Sequence, residues 1–377
     1  MTNISQIENK LFVNRTMLCL GPMSLNSIHA IKNVYQNCIL PLSLIASRNQ
    51  IESTEFGGGY VNNWTTKTFQ TDCSNIMPNI SIGRDHGGPY QGSYDQQNAI
   101  SDSDALKYAL KSLENDILND FTYIHLDPSK YTKGDITVDG MLNSLKEMYA
   151  HCCEFSIKND KSIFFEIGGE GHGPEVDSVE ELEYFLSNFQ QFVSKNKLKK
   201  PTFCVAKLGS YVREDKNVGS FKELIRNNTT EKIESIVSII HKYNLKVKMH
   251  NADYFSPEIY SSLPTLKIDA INLAPQLGVM ESRFIVNELK QNSMKQELDQ
   301  FYDIAYNSGM WKKWTDQQKP DIEFSTLLAG HYIFSTKDFM HLRERILLKI
   351  PNLDEKIILH LTEFVKATLI QLNNWKP

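Results

Sequence analysis

Short apolar runs that alternate with amphipathic helical stretches constrain this chain more than any other feature. Eight such runs occur, over 17–21, 39–46, 80–85, 123–127, 163–167, 202–208, 245–250 and 270–274. Runs of this length read as strands, and between them apolar residues recur at helical spacing, as over 105–118 and 141–153. Strands that alternate with helices form a parallel sheet, and eight joined by crossover helices close into an α/β fold, the TIM (β/α)8 barrel. After Gly278 the pattern changes to helices alone, over 280–307, 323–334, 337–348 and 354–373. The expected organisation is a barrel over residues 1–285 and a helical C-terminal extension over 286–377 packed on it. A chain of 377 residues suits one barrel with additions.

Composition excludes several classes of partner. The formal net charge of −5 comes from interspersed charges, and no basic patch studded with aromatics occurs, which argues against nucleic acid. Cysteines 19, 38, 73, 152, 153 and 204 are scattered without CxxC spacing and the N-terminus carries no secretory signal. That pattern predicts reduced, mostly core thiols in a cytoplasmic protein. No apolar stretch approaches the ~20 residues that span a bilayer, so no membrane partner is expected.

Polar residues gather at the C-terminal tips of the predicted strands, where barrel enzymes keep their chemistry. The third strand ends in Asp85-His86, and Gly87-Gly88-Pro89 supplies the turn that would let both side chains reach one pocket. Alone, the pair reads equally as a capping carboxylate and a surface imidazole. Other tips add Asn49 and Gln50, Asp127, Glu166 with Glu170, Lys207, His250 with Asn251 and Asp253, and Asn272. So many charged and amide groups at strand ends would be costly unless paired, hydrated or bound to metal.

Two imidazoles with carboxylates suit a divalent cation, zinc foremost, with manganese or another divalent ion as alternatives. His86 and His250 are the expected imidazole ligands. Glu170, set in Gly168-Gly169-Glu170-Gly171 where the backbone can approach a ligand closely, is the expected carboxylate ligand. The plainer readings are a backbone-bonded strand-end histidine for His250, a loop glutamate for Glu170, a turn cap for Asp127 before Pro128-Ser129, and a surface position for His172. Lys207, in an apolar run, is costly to bury and is read as a catalytic amine, an anchor for an anionic group, or a partner of Glu166 or Asp127. Gly57-Gly58-Gly59-Tyr60 could cradle a phosphate or move over the site. Asp85 and Lys207 are the catalytic candidates; Asn49, Gln50, Tyr60, Asp127, Glu166, Asn251, Asp253 and Asn272 are the candidates for substrate contact.

Several of these segments together resemble one family. Ser47-Arg48-Asn49-Gln50, Phe56-Gly57-Gly58-Gly59-Tyr60, Gly83-Arg84-Asp85-His86-Gly87-Gly88-Pro89, Ile124-His125-Leu126-Asp127-Pro128-Ser129, Ile167-Gly168-Gly169-Glu170, His250-Asn251-Ala252-Asp253-Tyr254 and Trp311-Lys312-Lys313-Trp314 look like successive signatures of the GatZ/KbaZ subunit family of tagatose-bisphosphate aldolase. The resemblance covers most of the chain in order, and it extends to the class II, metal-dependent ketose-bisphosphate aldolases. By that likeness Asp85 is the proton donor and acceptor, His86 a metal ligand, and His250 the ligand on strand seven. Two departures stand out. The aldolases take a further histidine after strand six, where this chain reads Lys207-Leu208-Gly209-Ser210-Tyr211-Val212. Their phosphate-holding Gly-Gly-Ser-Gly is here Asn251-Ala252-Asp253-Tyr254.

Three functions are therefore expected in turn. The first is a metal-dependent carbon–carbon lyase acting on a ketose or ketose phosphate by reversible aldol cleavage through an enediolate. The second is a sugar epimerase using the same chemistry. The third is a non-catalytic subunit that stabilises a class II aldolase. The partners that go with these are a small sugar, further copies of the chain, or an aldolase subunit.

Overall fold

Parity along each strand decides what faces the barrel axis and what faces the helices. The computed structural model describes residues 15–36, 41–169 and 175–373. Within them eight parallel strands close a barrel: β1 Met17–Leu20, β2 Leu42–Ser47, β3 Ser81–Asp85, β4 Tyr123–Leu126, β5 Phe164–Ile167, β6 Phe203–Val205, β7 Lys246–Met249 and β8 Ala270–Leu273. Each strand pairs with the next in sequence, and β1 closes the ring on β8 with Met17 opposite Ala270 and Leu20 opposite Leu273. The TIM barrel expected from the alternation is thus the fold. Residues 39 and 40 of the second apolar run, Cys38, Glu170 and His172 lie outside the described residues.

Met17, Cys19, Ile45, Tyr123, Phe164, Phe203 and Ala270 fill the barrel interior. Their strand neighbours Leu18, Leu44, Ile124, Phe165, Val247 and Ile271 join the larger core beneath the helices. Because side chains alternate across a strand, the same parity turns Asp85, His125, Glu166, Lys248 and Asn272 inward. The opposite parity sends Arg84 outward, where Nε and Nη2 bond the two Asp116 oxygens at 2.7 Å each and Nη1 donates to the carbonyls of Ala46 and Ile51. Arg48, also fully buried, pairs with Glu52 at 2.7 Å and Asp95 at 2.6 Å. Ser112 and the Ser53 N–H donate to the other Glu52 oxygen, which completes a satisfied network behind β2 and β3.

The crossover helices begin where small polar residues take up the first free backbone N–H groups. Ser101 caps Asp102–Leu118, Thr137 caps Val138–Lys158 and Ser178 caps Val179–Lys195. The helical run expected over 280–307 is two helices, Pro275–Gln291 and Lys295–Asn307, separated where Ser293 takes a positive φ of 55°. The first follows β8 directly. Ile322–Ile333, Lys337–Lys349 and Leu353–Asn373 follow. The last packs along the helix Leu25–Tyr35, with Asn33 donating to Thr362 and Thr362 to the Ala30 carbonyl. No helix among the described residues is long and apolar enough to cross a membrane, and the five described cysteines are all buried thiols.

Candidate active site

Asp85 ends β3 beside Ser47 of β2, with its side chain at the barrel mouth. A continued strand would turn His86 to the opposite face. Instead His86 adopts a φ of +49°, a conformation that costs a non-glycine residue roughly 1–3 kcal/mol and is tolerated where the surroundings enforce it. The imidazole thereby joins the carboxylate in one pocket. Gly88 lets this turn lie against the end of β4: a Cβ there would stand 1.7 Å from the Asp127 carbonyl oxygen.

Three imidazoles and one carboxylate converge. Asp85, His86, His125 and His250 offer ligand atoms all within 4.8 Å of one another. Asp85 Oδ1 is 3.5 Å from His250 Nδ1 and 3.8 Å from His86 Nε2, and it accepts from Asn272 Nδ2 at 3.1 Å. The rings of His86 and His125 are oriented from behind. His86 Nδ1 bonds Asp127 Oδ2 at 2.7 Å, which turns Nε2 toward the cluster. Asp127 is itself held by Gln91 Nε2 at 2.9 Å and by the Ser129 N–H at 2.9 Å. His125 Nε2 donates to the Gly168 carbonyl at 3.0 Å, leaving Nδ1 as the lone-pair nitrogen. That Nδ1 is buried and has no hydrogen-bond partner among the described residues. Gly168 permits the contact because its φ of +138° and the 2.3 Å approach of a hypothetical Cβ to the Val205 carbonyl both exclude a side chain. At His250 the main chain is held, Ser210 Oγ donating to its backbone carbonyl at 2.7 Å.

The donor set fits a divalent cation. A buried imidazole nitrogen without a proton or a partner is an unfavourable thing to leave in a protein interior, and a metal is the group that satisfies it. The carboxylate behind His86 is the arrangement that fixes tautomer and ring orientation in metal-binding histidines. Burial lowers the His125 imidazole to about 4, with His250 and His86 adding to the effect and Asp127 opposing it, so His125 stays neutral near pH 7. Burial alone would raise the Asp85 carboxyl, but His86, His250 and Lys248 outweigh it and hold it at about 2. Asp127 is likewise held below the usual carboxylate range, burial being overcome by the His86 bond and by the neighbouring His125 and His86 imidazoles.

The site differs in detail from what the strand tips predict. Asp85, His86 and His250 do meet, with Asn272 against Asp85 and Asp127 behind His86; Glu170 lies outside the described residues. Lys207 stands beyond the end of β6 with its backbone N–H bonded to Asp177. The Glu166 partner is Lys248, at 2.7 Å, both wholly buried under the cluster. Asp253 accepts from the N–H groups of Ala274 and Gln276 and so caps the helix after β8, with burial raising its carboxyl to about 7. Gln50 is folded back onto the Ser47 N–H, and Tyr60 packs on Tyr332 with ring centres 4.4 Å apart. Asn49 and Asn251 do reach the mouth. His125 is the residue that strand-tip reasoning misses, because it lies within β4; its inward parity with Asp127 was the available signal.

A cavity of about 320 Å³ adjoins the cluster, bounded by His86, Asn49, Asn251, Lys130, Lys313 and Trp314 among others. Its rim is built by a hairpin, Val212–Arg213 with Lys216–Asn217, and by the segment that carries Trp314. Asn217 Nδ2 donates to the carbonyls of Asn251 and Asp253, while the Glu214 N–H donates to the Trp314 carbonyl.

No protein-family model matches the chain, and no curated protein matches it in sequence. Solved structures match it in fold. A probable tagatose 6 phosphate kinase from Sinorhizobium meliloti 1021 superposes with a TM-score of 0.73 at 13% identity, over 95% of this chain and 100% of that one. The fold is shared. It is shared more distantly with a fructuronate-tagaturonate epimerase from Cohnella laeviribosi, at TM-score 0.54, 10% identity and coverage of 95% and 81%. A fructose-bisphosphate aldolase from Campylobacter jejuni gives TM-score 0.52, 10% identity and coverage of 98% and 95%.

Proposed function

We propose that this chain is a metal-dependent carbon–carbon lyase acting on a ketose or ketose phosphate by reversible aldol cleavage. The observation that carries the reading is the buried, partnerless Nδ1 of His125 facing His86, His250 and Asp85 at the mouth of a barrel. His86, His125 and His250 would hold a divalent cation, zinc foremost, which when bound polarises a carbonyl oxygen. Asp85 would then serve as the base: it takes the proton from the hydroxyl on the far carbon of the scissile bond, that carbon becomes an aldehyde as the bond breaks, and the electron pair left on the carbon next to the carbonyl takes a proton to release the second fragment. In the reverse direction Asp85 returns the proton to the new hydroxyl. Asn272 holds the Asp85 oxygen in place, and Asp127 with Gln91 fixes His86. The resemblance to the GatZ/KbaZ and class II aldolase sequences and the fold shared with an aldolase support this reading.

The fold shared with a sugar epimerase supports a second reading, in which the fragments stay bound and recombine on the opposite face. Incubating the metal-loaded chain with ketoses and ketose phosphates, while following both fragment release and epimer formation, separates the two. A chain that binds no stoichiometric metal and turns over neither way would be a stabilising subunit instead.

A further inference from the structure

We propose that an anionic group of the substrate, a phosphate or a carboxylate, is held at the barrel mouth between Lys130 and Lys313. The inference rests on reading the cavity beside the cluster as the substrate site and adds the class of molecule that fits it. Both lysines line that cavity, one from the loop after β4 and the other from the C-terminal helical region. Neither ammonium has a carboxylate within ion-pair distance among the described residues. The acid whose charge acts on Lys130 is Asp127, and its oxygens are already engaged by His86, Gln91 and the Ser129 N–H. Lys313 has the Tyr332 ring 5.3 Å from its nitrogen. Arg213, on the same wall, does have a partner in the exposed Asp316.

Lys130 is half-buried and Lys313 stands exposed at the rim, and in a chain whose net charge is −5 neither is tied up in an ion pair with a described carboxylate. Burial lowers both ammonium groups, a loss of hydration that the charge of Asp127 offsets only in part at Lys130. A phosphate or carboxylate replaces it with charge-assisted hydrogen bonds. A neutral sugar does not. The loop after β7, Asn251-Ala252-Asp253-Tyr254, offers no alternative cation, and its carboxylate is committed to capping the helix after β8.

The test uses the full chain loaded with zinc and titrated calorimetrically with inorganic phosphate, fructose, its 6-phosphate and its 6-carboxylate. At least one of the two anionic ketoses should bind roughly 10–100-fold more tightly than fructose, the effect of one or two charge-assisted bonds. The arm with the larger gain identifies phosphate or carboxylate as the group. The double variant Lys130→Met/Lys313→Met should lose that advantage with zinc content and melting temperature unchanged. Equal binding of fructose and both anionic forms, or an advantage that survives in the double variant, overturns the proposal. Repeating the phosphate titration without zinc separates it from the catalytic reading. Lysine-dependent phosphate binding in a chain that never acquires metal would leave the anion site standing while the lyase fails, whereas zinc binding without anion preference would do the reverse.

Discussion

Charges buried in the wall behind β2 and β3 and charges gathered at the mouth are treated in opposite ways. In the wall, Arg84 and Arg48 meet Asp116, Asp95 and Glu52 directly, and the remaining donors find carbonyls, so the network closes on itself. At the mouth three imidazoles face one carboxylate, and among the described residues a buried nitrogen has no partner and two lysines make no ion pair. Both regions are polar and enclosed. The difference teaches that burial of charge by itself says little about function, while incomplete pairing points to a missing ligand.

The largest expected effect is on the wall. Arg84→Met leaves Asp116 buried and unpaired and should cost about 3–5 kcal/mol of stability by denaturant titration, while Arg84→Met/Asp116→Leu should recover most of it. A double variant as unstable as the single one would break the claim that this pair is self-contained. At the mouth the signs reverse, with chemistry lost and folding kept. Asp85→Asn should slow turnover roughly 10²–10⁴-fold in a steady-state assay with metal content unchanged; loss of metal instead would make Asp85 a ligand. His125→Ala should remove stoichiometric zinc, measured by atomic absorption, without unfolding the chain. Asp127→Asn, acting through His86, should weaken zinc by only about 10–100-fold in a chelator competition.

The smallest effect concerns Glu281, a buried carboxyl outside both regions that accepts from Ser24 and Asn26. Burial raises it to about 7 from an ordinary 4.5. Between those values the folded state keeps a proton that the unfolded chain has released, so this group's contribution to stability falls as pH rises from about 4.5 to about 7. Glu281→Gln should flatten that slope and stabilise the protein at pH 8 by of the order of 1 kcal/mol. A melting temperature whose pH dependence matches that of the unsubstituted chain would show that the carboxyl is ionised throughout.

The barrel was legible because each strand repeats a local rule, apolar residues between helical stretches, which needs no knowledge of distant contacts. Asp85, His86 and His250 were legible for the same reason, being the last residues of such strands. His125 was not, since a strand-tip search stops short of interior positions, although Tyr123 and Asp127 share its face. Lys207 drew attention as the lysine in an apolar run, yet the lysine inside the barrel is Lys248, between Val247 and Met249 in β7, where alternation already marked it as facing the axis. Nothing local connects Lys313 and Trp314 with β3 and β7, because their arrival at the mouth depends on how the later helices pack.

That late arrival has a consequence for how such a protein can diversify. The reactive cluster is drawn from β3, β4 and β7, whereas the rim above it is a seam: the hairpin at 212–217 is stitched on one side to the loop after His250 and on the other to the chain at Trp314. Exchanging the hairpin and the 310–317 segment together, as one cassette, would re-address the pocket to another sugar while leaving proton transfer where it is. Exchanging either alone would cut the seam.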